Sequence, residues 1–276
     1  MPELPEVETI VRGLRPLLTG QTIAGVSHSD WPATLAGYPP AAFAAAVTGE
    51  PIQGVDRRAK YILIVLGSGR VLTVHLRMTG GLVHHAGPVA PGKATRLVLD
   101  LAAGGQVHFT DARKFGRVRL LDPDALPAFF ESLGPEPLPD EFTLDRFRAR
   151  LHGRRGLIKP TLLDQRVLAG LGNIYADEAL YRSRLHPQRS VATLDADDTA
   201  RLYEAVRFVL TQGIANRGTT ISDYRDAQGE QGSNQRQLHA YGQTDQPCDR
   251  CGTPIARIVV GGRGTHFCPQ CQVPPG

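Results

Sequence analysis

Apolar residues near the start of the chain recur at helical intervals: Val7, Ile10, Val11, Leu14, Leu17 and Leu18 lie three and four apart, and Gly20 is placed to end the segment. An opening helix is expected. From about Thr22 to Leu121 the pattern changes to short runs rich in Val, Ile and Leu, such as 61–66, 70–76, 96–101 and 116–121, some of them separated by turns at Gly67-Ser68-Gly69 and Ala103-Gly104-Gly105. This predicts an antiparallel sandwich or barrel, interrupted by a short alanine-rich helix over 41–47. A proline-dense stretch at 134–140 reads as a linker. Beyond it, spacing predicts helices over 143–151, 160–168, 173–185 and 195–215. Residues 217–247 lack periodicity and are rich in Gly, Gln, Asp and Ser, so they are expected to form a long mobile loop, either functional or disordered. Between 255 and 267, β-branched residues flank Gly261-Gly262, the pattern of a hairpin.

With 276 residues the chain is long enough for two domains or for one domain with appendages, and 41% hydrophobic content permits an ordinary buried core. Its net charge is only +4, so a basic surface must come from local clustering. Residues 51–121 supply it, with eleven Lys or Arg against three acids (Asp56, Asp100, Asp111). That excess suits a polyanionic partner, although solvated basic strand edges give the same composition. No apolar run approaches the roughly 20 residues that span a bilayer, and no stretch reads as an export signal, so a cytoplasmic location is expected.

The strongest chemical signal is Cys248-x2-Cys251-x16-Cys268-x2-Cys271. Two closely spaced cysteine pairs in a chain without an export signal favour metal over disulfides, and four thiolates close a tetrahedral Zn²⁺ site with no open position. One structural zinc is therefore expected, with the tail's fold depending on it.

The start, Met1-Pro2-Glu3-Leu4-Pro5-Glu6, carries a second signal. Removing the initiator before a small residue would leave proline as a free secondary amine. An α-amino group titrates near 8 and lysine near 10.4, so the terminus has a neutral fraction on the order of a hundredfold larger. An imine formed by a secondary amine stays cationic and acts as an electron sink. Pro5 and Glu6 suit the first turn of the helix, and Glu3 can supply a proton. Taken alone, the same residues also read as an ordinary helix start.

Other segments stay ambiguous on their residues alone. Arg57-Arg58-Ala59-Lys60-Tyr61 leads into a strand, placing Lys60 at a sheet rim where a point charge can hold phosphate or merely be solvated. Ile158-Lys159-Pro160 through Gly170-Leu171-Gly172-Asn173 reads as a helix, a glycine turn and a second helix whose start can bind an anion; an ordinary helix hairpin fits equally. Met78 and Phe115 would by hydrophobicity be assigned to the core, and His75 to packing.

Pro2-Glu3-Leu4-Pro5-Glu6-Val7-Glu8-Thr9 closely resembles the signature start of bacterial formamidopyrimidine-DNA glycosylases, and the remaining motifs follow in that family's order over essentially the whole chain. The resemblance implies an α+β fold with two domains: an N-terminal antiparallel β-sandwich with flanking helices over 1–133, the linker 134–140, a helix-two-turn-helix DNA-binding domain over 141–240, and a four-cysteine zinc finger over 241–276. It implies a bifunctional DNA glycosylase and abasic-site lyase of base excision repair. The substrate would be double-stranded DNA with oxidised purines such as 8-oxoguanine, and the enzyme a monomer. Pro2 is then the nucleophile, Glu3 the acid/base, Glu6 a supporting acid and Lys60 a phosphate contact. His75 faces DNA, while Lys159, Asn173 and Arg263 contact phosphates. Met78, Arg113 and Phe115 fill the stack vacated by an everted nucleotide, with Arg113 facing the estranged cytosine. Thr219, Thr220, Ile221, Ser222 and Tyr224 belong to a lesion-recognition loop; some relatives carry a basic residue where Ser222 stands. Two rivals remain at this point: the sister endonuclease VIII, which removes oxidised pyrimidines, and a non-catalytic zinc-ribbon DNA-binding protein.

Overall fold

The computed structural model describes residues 1–274, so the last two residues of the expected finger segment 241–276 lie outside the described residues. The chain divides into two compact units: Met1–Phe130 with Asn216–Ser233, and Glu131–Ala215 with the residues from Asn234 onward.

In the first unit the order is α1 (Leu4–Leu18), β1 (Ile23–Ser29), α2 (Pro40–Val47), β2 (Ile52–Arg58), β3 (Tyr61–Leu66), β4 (Val71–His75), β5 (Gly80–His85), β6 (Thr95–Leu101), β7 (Gln106–Asp111), β8 (Arg117–Leu121) and α3 (Leu126–Phe130). Two four-stranded sheets result, ordered β1-β6-β7-β5 and β2-β3-β4-β8, with every pairing antiparallel. Alternation along β3 buries Ile62, Ile64 and Leu66 on one face. Those residues join Phe109, Leu97 and Leu99 from the other sheet and the stripe Val7, Ile10, Val11, Leu14 and Leu18 of α1 in one apolar cluster. Pro5 sits in the first turn of α1, as expected of a residue without an N–H to satisfy.

The second unit holds α4 (Leu144–Leu151), α5 (Ile158–Leu163), α6 (Asn173–Ser183), α7 (Ala196–Ala215), β9 (Ala256–Val260) and β10 (Arg263–Phe267). α5 stops earlier than its apolar spacing predicts. Asp164 ends it by accepting the Arg166 N–H at 3.0 Å, and Gln165 then bridges the turn, accepting from Gly170 N–H at 2.9 Å and donating to the Leu171 carbonyl at 2.8 Å. The proline-dense segment is held to this unit: Gly134 N–H donates to the Gln165 carbonyl at 2.8 Å and Arg207 to the Pro137 carbonyl at 2.8 Å. β9 and β10 form the expected hairpin, with Gly261 and Gly262 at φ of 57° and 75° in its turn. Among the described residues no helix is long and apolar enough to cross a membrane.

Residues 216–233 have almost no regular structure, yet they are anchored rather than mobile. Tyr224 and Ala227 belong to the apolar cluster of the first unit, and the Ala227 carbonyl accepts the His84 N–H at 2.9 Å. Buried Asp226 pairs with Arg217 and accepts the Gln228 and Glu230 N–H groups at 3.0 and 2.9 Å. Periodicity misses such order because it comes from contacts with residues elsewhere in the chain and from irregular bonds within the segment.

At Gly232 a Cβ would stand 2.1 Å from the Gly218 carbonyl oxygen. Gly232→Ala is therefore expected to push the two ends of this loop apart, lowering stability by about 1–3 kcal/mol. Thermal unfolding measures the loss, and limited proteolysis should show faster cleavage within 217–233. An unchanged melting temperature and cleavage pattern would contradict the anchored loop.

Candidate catalytic and DNA-binding site

Glu3 and Glu6 are both buried at the start of α1, with Pro2 buried and Met1 exposed before them. A carboxylate in such a place needs donors. Glu6 has two from the backbone: Glu3 N–H to Oε2 at 2.8 Å and Thr219 N–H to Oε1 at 2.7 Å. The Tyr224 hydroxyl contacts the Glu6 carbonyl at 3.3 Å and the Arg217 carbonyl at 3.2 Å. Burial, helped by the charge of Glu6, pushes that phenol's pKa up, so it remains a protonated donor. Thr220 Oγ1 donates to the Tyr224 carbonyl at 3.1 Å and accepts the Gly232 N–H at 3.0 Å. Thr219 and Tyr224 thus meet the start of α1 at Glu6 and Thr220 braces the loop behind them, while Ile221 and Ser222 stay exposed at the tip, where Ser222 Oγ donates to Asp223 at 3.0 Å.

Lys60 does not project from the rim. It occupies the turn between β2 and β3, after Ala59 at φ 52°, and is only 6% exposed. Its charge reaches His75, the last residue of β4, whose pKa is held at about 3 by burial first and then by Arg77 and Lys60. Arg77 N–H donates to His75 Nδ1 at 3.0 Å, which leaves Nε2 as the protonated nitrogen of a neutral ring. The basic excess of the region is partly neutralised from outside it: Arg57 pairs with Glu8, Arg70 with Glu50 and Arg96 with Asp30. Arg77, Lys93, Arg113 and Arg119 remain exposed.

Met78 and Phe115 are 41% and 48% exposed, against the core assignment that hydrophobicity alone gives. Their loops are tied by a residue that sequence reasoning missed, buried Asp111. It accepts from the Thr79 hydroxyl, from Arg113 N–H at 3.1 Å and from Gly116 N–H at 2.6 Å, while Thr79 Oγ1 also accepts the Arg113 N–H at 3.2 Å. The exposed Arg113 guanidinium lies 4.9 Å from the Phe115 ring centre. An Asp at the opening of a turn was the available signal, since such carboxylates commonly bind the backbone just ahead. Met78, Arg113 and Phe115 therefore project from one braced pair of loops.

In the second unit the structure corrects the expectation for Lys159. Its side chain has no exposed surface and cannot meet a phosphate in this arrangement: Nζ lies 2.6 Å from Asp177 Oδ1, 2.7 Å from Thr265 Oγ1 and 3.0 Å from the Gly264 carbonyl. Asn173, at the start of α6, is half-buried and donates to the same carbonyl at 3.0 Å, while Arg263 is exposed at the start of β10. Glu178 is likewise structural. Its buried carboxylate accepts the N–H groups of His239, Ala240 and Tyr241 at 2.8–3.1 Å, and burial raises its pKa despite them.

The sulfurs of Cys248, Cys251, Cys268 and Cys271 all lie within 4.8 Å of one another. Zn–S bonds of about 2.3 Å in a tetrahedron require sulfurs about 3.8 Å apart. Separations of 3.5 Å for Cys251–Cys268 and 4.0 Å for Cys248–Cys271 bracket that value and are far from the roughly 2.05 Å of a disulfide. Burial and the neighbouring sulfurs push the Cys271 thiol up to about 12, the repulsion that a bound dication would relieve. The four residues fit one structural zinc, which would brace the hairpin and take no substrate.

Treating the protein with a strong zinc chelator, or substituting Cys268→Ser, should reduce bound zinc from one per chain and weaken DNA binding at least tenfold, about 1.4 kcal/mol. Metal analysis with a binding titration checks this, and full affinity without metal would contradict it. Because His75 stays neutral when folded, the unfolded chain binds the extra proton. The stability from this site is complete above about pH 6.5 and declines as pH falls toward about 3. Melting curves between about pH 7 and pH 4 should fall more steeply for the wild type than for His75→Gln; parallel curves would count against the half-buried neutral ring.

Three family profiles match the chain: the formamidopyrimidine-DNA glycosylase N-terminal domain over residues 1–118, the H2TH domain of the same enzymes over 133–225, and a zinc finger found in FPG and IleRS over 245–273. The formamidopyrimidine-DNA glycosylase of Herpetosiphon aurantiacus is 50% identical over 272 residues, covering 99% of this chain and 100% of the relative. A single-residue mutant of the Lactococcus lactis FPG, solved with a Fapy-dG containing DNA, superposes with a TM-score of 0.93 at 37% identity over 99% of this chain and all of that one. MutM (FPG) from Thermus thermophilus superposes at 0.87 with 43% identity, covering 98% of each chain. The chain belongs to the formamidopyrimidine-DNA glycosylase family.

Proposed function

We propose that this protein is a base excision repair enzyme that removes oxidised purines, 8-oxoguanine and formamidopyrimidines, from double-stranded DNA and then cleaves the strand as a lyase. The observation that carries the reading is the Glu6 carboxylate, shared between the chain start and the loop at Thr219. Chemistry on a base requires the nucleotide to leave the stack, and this bridge puts a reactive amine and a base-reading loop at one place. Relatives support the substrate class, having been solved with Fapy-dG containing DNA and with abasic-site DNA.

In this reading Met1 is removed, and the Pro2 nitrogen attacks C1′ of the everted nucleotide. The glycosidic C–N bond breaks, and the base departs with the bonding electrons and a proton. Glu3 protonates the sugar ring oxygen as the C1′–O bond opens, leaving a cationic imine on Pro2. That cation acidifies C2′–H; loss of the proton expels the 3′ phosphate, and a second elimination expels the 5′ phosphate. Glu6 holds the Glu3 backbone and the loop in place. Lys60 supplies positive potential from within the β2–β3 turn, and neutral His75 offers an Nε2–H donor. Phe115 and Met78 fill the vacated stack, while Arg113 meets the estranged cytosine. Ser222, exposed and short, leaves base reading to main-chain amides of the loop. Arg263 and Asn173 hold phosphates from the second unit. Such an enzyme works in the cytoplasm, on the nucleoid, as a monomer.

Borohydride reduction during incubation with an 8-oxoguanine:cytosine duplex should trap a covalent adduct on a peptide beginning at Pro2. Pro2→Gly should keep DNA affinity within about threefold while losing lyase activity by about a hundredfold or more, roughly 2.7 kcal/mol. An adduct mapped to another residue, or a protein active with Met1 attached, would sink the mechanism; faster single-turnover release of thymine glycol than of 8-oxoguanine would sink the substrate class.

A further inference from the structure

A buried ion pair joins the helix-turn-helix element to the zinc hairpin. Lys159 of α5 and Asp177 of α6 both have side chains with 0% exposure, and they pair at 2.6 Å. The other Asp177 oxygen accepts the His266 backbone N–H at 2.9 Å and lies 3.2 Å from that residue's Nδ1. The Gly264 carbonyl is reached at 3.0 Å by both Lys159 Nζ and Asn173 Nδ2. Lys159 Nζ donates to the Gly264 carbonyl and to Thr265 Oγ1 while it pairs by charge with Asp177 Oδ1; a carbonyl has two lone pairs, and at Gly264 two side chains match those.

We propose that Asp177 is a positioning residue for DNA binding: with Lys159 it clamps the peptide at Gly264 and so fixes the direction in which neighbouring Arg263 presents its guanidinium. The inference rests on reading Arg263 and Asn173 as phosphate ligands, and it replaces the direct phosphate contact expected of Lys159. Coulomb attraction within a dry pair is large, but so is the cost of removing both charges from water, so such a pair adds little net stability. Its use lies in direction. Two facing elements are tied to one carbonyl, and the exposed cation sits one residue before it. Zinc holds the far end of the same hairpin through Cys268, two residues beyond His266. Along β10 the hairpin is thus fixed by metal just beyond Phe267, by Asp177 at His266 and by Lys159 at Gly264.

The test uses zinc-loaded full-length protein and a duplex bearing an uncleavable tetrahydrofuran abasic analogue. Affinity is measured across salt concentrations, with zinc content checked for each variant. Asp177→Asn should bind at least tenfold more weakly while retaining one zinc. If Lys159 contacted phosphate itself, releasing it from Asp177 would leave affinity unchanged or raise it, and that result would overturn the proposal. Lys159→Met alone leaves a buried carboxylate unpaired and can fail to fold, so the second arm uses Lys159→Met/Asp177→Asn, which removes both charges. Each phosphate contact made by a cation contributes about 0.9 to the slope of log affinity against log salt. Arg263→Ala should lower the slope by about that amount, and adding the double substitution to Arg263→Ala should lower it no further, because Asn173 is uncharged. A further drop of about 0.9 would mean that Lys159 touches phosphate and would refute the clamp. If Arg263→Ala leaves the slope unchanged, the phosphate-ligand reading fails instead, and the Asp177→Asn affinity alone decides whether Asp177 acts in binding.

Discussion

A single carboxylate, that of Glu6, receives backbone N–H groups from Glu3, three residues before it, and from Thr219, 213 residues after it. Buried at 1% exposure, it could not remain there as an anion without such donors. The amide of Glu3 and the amide of Thr219 are therefore held on opposite oxygens of one group. Much else in the first unit serves this arrangement. Burial of the apolar stripe of α1 seats the helix on the sandwich, the Tyr224 hydroxyl reaches the Glu6 carbonyl, and Asp226 folds the following turn back on itself.

The same construction recurs away from the chain start. Asp111 ties the loops that carry Met78, Arg113 and Phe115, and Asp177 ties α5, α6 and β10. In each case a buried acid collects donors from segments distant in sequence, and the side chains assigned to DNA stand exposed beside it. A buried carboxylate held by donors or by a paired cation is rigid because losing a partner leaves it uncompensated. Rigid supports matter for a surface that must displace a base, since energy used to order a loop is unavailable for unstacking DNA.

Much of this was readable from residue order. Period-3.6 spacing marked α1, α6 and α7, the Val- and Ile-rich runs marked β3, β4, β6 and β8, and the cysteine spacing marked the metal site before any geometry was known. Strands β1, β2, β5 and β7 were not individually bounded, because small, polar, histidine and charged residues blur their alternation, and pairing with neighbours rather than propensity places them. The loop 217–233 looked mobile because the contacts that order it, to Glu6 and His84 far away in the chain and among its own Arg217, Thr220, Asp226 and Gly232, follow no periodic spacing. Lys159 and Lys60 looked like surface cations, since sequence carries no record of which charges will be buried. Met78 and Phe115 were misjudged by hydrophobicity alone and recovered only through the family pattern, which records what the exposed apolar side chains are for.

Backbone amide exchange at Thr219, followed residue by residue in the free protein, tests the Glu6 bridge most directly. In the wild type this amide should exchange far more slowly than those of exposed Ile221 and Ser222, and Glu6→Ala should bring it to within about a factor of three of theirs while exchange in β3 and β4 stays unchanged. A Thr219 amide that exchanges at the same rate with and without the Glu6 carboxylate would contradict the account.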